Sequence, residues 1–88
     1  MKKKLEIVFR ADNGCEEKFN VEVAYYSGNK REFNMAVYHL WDEMVAFAKQ
    51  EKSDHVRVTM YDFDTTDALM TRRYNPWEIY GESYYEED

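Results

Sequence analysis

The apolar residues of this chain change their period twice, and that change bounds the fold. From Lys4 to Arg10 they alternate, with Leu5, Ile7 and Phe9 on one side and Glu6, Val8 and Arg10 on the other. Alternation returns from Lys18 to Tyr26, where Phe19, Val21, Val23 and Tyr25 oppose Asn20, Glu22, Ala24 and Tyr26. Between Asn34 and about Glu51 the spacing becomes three and four: Val37, Leu40, Trp41, Met44, Val45, Phe47 and Ala48. From Asp54 to Phe63 it is two again, with Val56, Val58 and Met60 against Arg57, Thr59 and Tyr61. Successive side chains in a strand point to opposite faces, whereas a helix brings a residue back to one face every 3.6 positions. The pattern therefore predicts two strands, one long helix and a further strand.

The connections agree. Asp12-Asn13-Gly14 is a turn signal, because Asn and Gly tolerate positive φ, and it makes the first two strands a hairpin with a loop near 11–17. Ser27-Gly28-Asn29 ends the second strand. Asn34 is the expected N-cap, and Lys49 and Lys52 complement the helix dipole at the other end. Asp62 to Asp67 is polar and turn-like. Ala68 to Tyr74 reads as a fourth strand, with a short helix capped by Asp64 or Thr65 as the competing form. Asn75-Pro76 is expected to interrupt regular structure, and Trp77, Ile79 and Tyr80 to clamp back onto the domain. The expected fold is α+β in the order ββαββ, a mostly antiparallel sheet with one long helix on one face. The other face, with Glu22, Tyr26, Arg57, Thr59 and Tyr61, is expected to be open. Residues 1–81 form one domain in this reading, and 82–88 an acidic tail.

At 88 residues the chain is too short for a two-domain enzyme, a dinucleotide-binding Rossmann fold or a (β/α)₈ barrel. No apolar run is long enough to span a bilayer. Met1-Lys2-Lys3-Lys4 is basic but no apolar stretch follows, so it does not read as a signal peptide. One cysteine, Cys15, excludes an internal disulfide and fits a reducing, cytoplasmic setting.

Residues with chemistry are few. His39 and His55 lack ligand spacing to each other or to Cys15, so structural roles are expected for both. Cys15 has Glu16 and Glu17 beside it, which disfavour a thiolate. Asp62, Asp64 and Asp67 form a D-x-D-x-x-D run without the glycine and terminal glutamate of an EF-hand loop. Turn chemistry accounts for it; in a strand, Asp62 and Asp64 would share a face about 6.8 Å apart. There is no glycine-rich phosphate loop. The expectation is a non-enzyme with no cofactor and no metal.

Charge and aromatic content give the remaining expectation. Residues 1–41 carry net +1 and residues 42–88 net −7, so the acid belongs to the C-terminal half. Fifteen aromatic residues exceed what a small core hides, and tyrosine is favoured at protein interfaces. The candidate contact set is Asp62, Asp64, Asp67, Glu78, Glu82, Glu86, Glu87 and Asp88, with Tyr61, Tyr80, Tyr84 and Tyr85 as anchors. Such a surface suits a basic groove on a partner protein, of the kind lined for nucleic acid. The chain is not itself expected to bind nucleic acid or a membrane.

The run Asp62-Phe63-Asp64-Thr65-Thr66-Asp67 and the tail Glu82-Ser83-Tyr84-Tyr85-Glu86-Glu87-Asp88 carry a resemblance of type. In size, acidity and aromatic richness the chain resembles small inhibitors carried by phages and mobile elements, of the anti-CRISPR and anti-restriction kind, some of which imitate DNA. The resemblance implies an inhibitor that blocks its target by binding. Lys2-Lys3-Lys4 departs from a uniformly anionic mimic and confines such mimicry to one face. The alternative expectation is a small structural domain that pairs with a copy of itself through a sheet edge or the open sheet face. A polar-lined pocket between helix and sheet would instead mark a small-molecule site.

Overall fold

The computed structural model describes residues 3–24, 28 and 30–81. Four strands, β1 (Lys3–Ala11), β2 (Glu16–Val23), β3 (Val56–Asp62) and β4 (Ala68–Tyr74), form one antiparallel sheet in the order β2-β1-β3-β4. Three helices, α1 (Lys30–His39), α2 (Trp41–Gln50) and α3 (Pro76–Tyr80), complete the order ββααββα.

The hairpin forms where its turn chemistry placed it. The Ala11 N–H donates to the Cys15 carbonyl at 2.9 Å, and Gly14 takes φ +88°, which a side chain would resist. The register sets Leu5 opposite Val21 and Ile7 opposite Phe19, so apolar side chains meet across the strands. On the other side of β1, Ile7 faces Met60 and Phe9 faces Val58. These residues, with Leu5, Ala11 and Val56, supply the sheet side of the core. The helices supply Phe33 and Val37 from α1 and Met44, Phe47 and Ala48 from α2. Phe9 lies at the centre, its ring 5.1 Å from Phe19 and 6.2 Å from Phe47.

Three expectations need correction. The single long helix is two. It begins at Lys30, not at an Asn34 cap, and breaks at Leu40, whose φ −105° and ψ 15° leave the helical region. The Leu40 N–H bonds to the Val37 carbonyl three residues back at 3.0 Å, a tightened turn that re-aims the chain. Each half then buries its own stripe: Phe33, Ala36 and Val37 from α1, and Met44, Phe47 and Ala48 from α2.

Asn75-Pro76 starts a helix instead of preventing one. Proline at the first helical position gives up an N–H that has no intrahelical partner anyway. Glu78 reaches back to accept the Asn75 N–H at 2.8 Å. Of the clamp residues, Ile79 is buried and the Tyr80 hydroxyl donates to the Ser53 carbonyl at 3.0 Å, but Trp77 stays 52% exposed.

The third correction concerns Asp62 and Asp64. β3 ends at Asp62, so the two do not share a strand face. Ala68–Tyr74 is the fourth strand, with a register irregularity beside Met60 and Tyr61. No helix among the described residues is long and apolar enough to cross a membrane.

Candidate functional site

The strand register decides where the predicted contact residues fall. Asp62, Asp64 and Asp67 lie at the β3–β4 turn, at the end of the sheet where β1 begins. Glu78 and Tyr80 lie on α3, beyond the far end of β4. Seven residues of strand separate the two groups by roughly 23 Å. Tyr61 adjoins the first group, next to Asp62, and is half-buried on the sheet face opposite the helices. Glu82, Tyr84, Tyr85, Glu86, Glu87 and Asp88 lie outside the described residues, as do Tyr25 and Tyr26. The expected single anionic face is thus divided among the described residues.

Two of its acids are engaged within the chain. Asp62 is 7% exposed and forms a salt bridge with Lys3. Its Oδ1 accepts the N–H groups of Asp64 at 2.9 Å and Thr65 at 3.2 Å. Lys3 and these turn donors hold the Asp62 carboxyl below the ordinary carboxylate range. Asp62 raises Lys3 in turn, with a smaller contribution from Asp64. Glu78 is committed likewise: Oε2 caps α3, and Oε1 accepts from Arg72 Nη2 at 2.6 Å. The Arg72 guanidinium also lies over the Tyr74 ring at 4.4 Å. Tyr74 packs edge-on to Trp41 at 5.5 Å, so this acid belongs to a structural knot joining β4, α2 and α3.

Exposed at the β3–β4 turn are Phe63, Asp64, Thr65, Thr66 and Asp67, with Phe63 offering apolar area and Asp64 and Asp67 charge. Phe63 is 44% exposed, with Lys4 Nζ 5.8 Å from its ring centre. The turn is firmly framed. Besides the two bonds to Asp62 Oδ1, the Asp62 N–H donates to the Asp67 carbonyl at 2.9 Å. The Thr66 N–H returns to the Asp62 carbonyl at 2.8 Å, and the Asp67 N–H to Thr65 Oγ1 at 3.3 Å. Thr66 adopts φ +63° to close it. The backbone that carries the exposed ring and the two exposed carboxylates is therefore held in a fixed arrangement.

The open sheet face does not carry the acid. The register aligns Arg10, Arg57 and Arg73 in a row across three strands, with Glu16 at its end 3.8 Å from Arg10. Lys4 and Lys18 share this face, against Glu6, Glu16 and Glu22. Strand alternation predicts the open side for Glu22 and Arg57, but the arginine row depends on pairing partners far apart in sequence.

A second convergence appears at the opposite end of the sheet. Ser53, 2% exposed, accepts the Asp12 N–H on Oγ at 3.0 Å and donates to the His55 carbonyl at 2.5 Å. It clasps the β1–β2 turn to the α2–β3 loop. Asn13 Nδ2 adds a bond to Glu51 Oε1 at 3.2 Å. Asp12, Asp54 and His55 consequently bring one ligand atom each within 4.8 Å of one another. Oxygen and nitrogen donors of this kind suit a divalent cation, though the set is one short of the four ligands of a structural zinc site. His55 Nδ1 lies 2.8 Å from Asp54 Oδ1 and lowers the Asp54 pKa. Cys15 is exposed, and a hydrogen bond to Glu51 raises its pKa, which works against a nucleophilic thiolate.

On the helix side, α1 and the edge strand β2 enclose an apolar groove of about 540 Å³ lined by Val21, Val23, Met35, Ala36 and Leu40, with Glu22, Glu32 and His39 at its margin. Met35 and Tyr38 on α1 are 53% and 77% exposed. The helical pattern gave Val37 and Leu40 to the core but left this outer flank unassigned. No protein-family model, no curated protein and no solved structure matches the chain.

Proposed function

We propose that the chain is a non-catalytic binding protein that docks the β3–β4 turn against a cationic surface of a partner protein, the surface of a nucleic-acid-binding groove being the best chemical fit. The turn carries this reading: Phe63 for contact area, Asp64 and Asp67 for charge, and Asp62 as the post on which the turn is built. Such an epitope loses little conformational freedom on docking, so more of its contact energy appears as affinity. The overall charge of −6 assists encounter with a basic partner. Inhibition of the anti-CRISPR or anti-restriction type is the biological form this docking takes in the proposal.

The test compares wild type with Asp64→Asn/Asp67→Asn as immobilised bait for proteins of the native host lysate. Retained proteins are then eluted along a salt gradient. The expected outcome is a nucleic-acid-binding protein held by wild type, displaced by salt and by duplex DNA, and held at least about fivefold more weakly by the double variant. An identical retained set and identical salt midpoints for both baits would remove the turn from the interface.

A further inference from the structure

The β2 edge is self-complementary. Among the described residues β2 hydrogen-bonds to β1 on one side only, so alternate N–H and C=O groups along it point away from the sheet. Lys18, Asn20 and Glu22 share the open face of this strand, and Phe19, Val21 and Val23 the helix face. Reading outward from Asn20, a cation stands two residues to one side and an anion two residues to the other. One position away on each side stand Phe19 and Val21.

We infer that this chain forms a two-fold dimer by antiparallel pairing of β2 with β2 of a second copy, centred on Asn20. A two-fold axis perpendicular to the sheet sets Lys18 opposite Glu22 of the second copy, twice. It sets Phe19 opposite Val21 of the second copy, also twice, and Asn20 opposite itself. The result is a continuous eight-stranded sheet with both helical layers on the same side. Within its own chain Glu22 stands opposite Lys4, and the dimer adds the second copy's cation on its other flank. The apolar groove gains its occupant here too. Val21 lines it with Met35 and Leu40, and the register brings Phe19 of the second copy opposite Val21 beside it.

The charges select the register. Moving the axis one residue, to Phe19, sets Glu16 opposite Glu22, a like-charge contact made twice. Moving it to Val21 sets Lys18 opposite Ala24 and loses both ion pairs. Half-residue shifts place the helix layers on opposite sides and turn Phe19 and Val21 away from their partners. β4, the other edge, offers no such match: centred on Thr71 it opposes Arg72 to Met70 and Arg73 to Leu69. It also pairs with β3 through a register irregularity, a feature that blunts edges. The dimer rests on β2 with α1 and Leu40 beside it and is independent of the β3–β4 turn.

Sedimentation of the full chain over a concentration series tests the inference directly, with Lys18→Glu, Glu22→Lys and the double exchange alongside wild type. Each single reversal creates two like-charge contacts at the seam. Dimerisation is expected to weaken about 30-fold in each single variant, or about 2 kcal/mol at 1.4 kcal/mol per tenfold. The double exchange restores the pairing and is expected to dimerise within a fewfold of wild type. In a Cys15→Ser background, Asn20→Cys places two thiols face to face at the axis and is expected to give a disulfide-linked dimer under mild oxidation. Glu16→Cys in the same background places them far apart and is expected to stay monomeric on denaturing gels. A wild type that stays monomeric throughout overturns the inference. So does a dimer indifferent to both reversals, or cross-linking equal at the two cysteine positions.

Discussion

Replacing Ser53 by alanine isolates the clasp between the two loops at the α2–β3 end of the sheet. The variant deletes one buried oxygen and leaves the backbone bonds of Ser53 in place, both to Ala48 and from Tyr80. What disappears is the bond from the Asp12 N–H and the bond to the His55 carbonyl. Each contributes about 1 kcal/mol net, and the partially buried partners regain water incompletely, so the loss is about 2 kcal/mol. For a domain of this size that lowers the melting temperature by roughly 10 °C. Urea and thermal unfolding followed by circular dichroism give both quantities. Amide exchange locates the effect, since the Asp12 N–H loses its acceptor while the centre of β1 keeps its ladder. A stability loss below about 0.5 kcal/mol, or unchanged exchange at Asp12, would show that the loops are joined by other means.

Lys52 offers the opposite sign. Its N–H bonds to the Lys49 carbonyl, the Ser53 N–H bonds to the Ala48 carbonyl, and Lys52 sits at φ +53°, the left-handed residue of a Schellman cap. Lys52→Gly is expected to stabilise by about 0.5–1 kcal/mol, read as a raised urea midpoint; a lowered midpoint would refute the strain argument. Asp62 sets an acid limb. Its folded pKa lies below the unfolded value of about 4, so its contribution is complete above that pH and is lost as pH falls through the folded pKa. Unfolding midpoints should therefore drop more steeply below pH about 4 in wild type than in Asp62→Asn, whereas parallel pH profiles would show that the carboxylate contributes nothing through its charge. Lys3, raised by the same contact, loses its part of that stabilisation only as alkaline pH passes its folded pKa.

The legibility of this chain follows the range of the interactions. Strand faces were readable because alternation is local: Leu5, Ile7 and Phe9 had to share a side, and the Asp12-Asn13-Gly14 turn had to fold β2 back onto β1. The break at Leu40 was not readable, because no glycine or proline marks it and the apolar stripe runs through without a gap. Asn75-Pro76 carried an ambiguous signal. Proline stops a helix from within but opens one at its first turn, and Glu78 three residues past the cap was the cue for the second case. The site divided for a similar reason. Asp62 and Glu78 look alike in sequence to Asp64 and Asp67, but the pairing of β1 with β3 brings Lys3 to the first, and the bend from β4 into α3 brings Arg72, six residues away, to the second. Ser53 had no local signal at all; its role depends on β1 and β3 being neighbours.

The two proposed surfaces constrain each other through the two-fold axis. The β3–β4 turn lies at the end of the sheet where Lys3 pairs with Val23, the C-terminal end of β2. Antiparallel pairing of two β2 strands sends the second turn to the opposite end of the combined sheet. Between the two turns lie six strand spacings, about 29 Å measured across the strands. A dimer therefore cannot set both Phe63 rings into one compact groove. It meets either two partner molecules or one partner that repeats its cationic site at a larger distance, set by that spacing together with the offset along the strands. For a repeating partner the second contact is intramolecular, so apparent affinity depends on dimerisation as well as on the turn. Lys18→Glu then weakens capture by a repeating partner while leaving a single-site partner unaffected, and Asp64→Asn/Asp67→Asn weakens both. The pattern across these two variants separates a bivalent clamp from a pair of independent plugs.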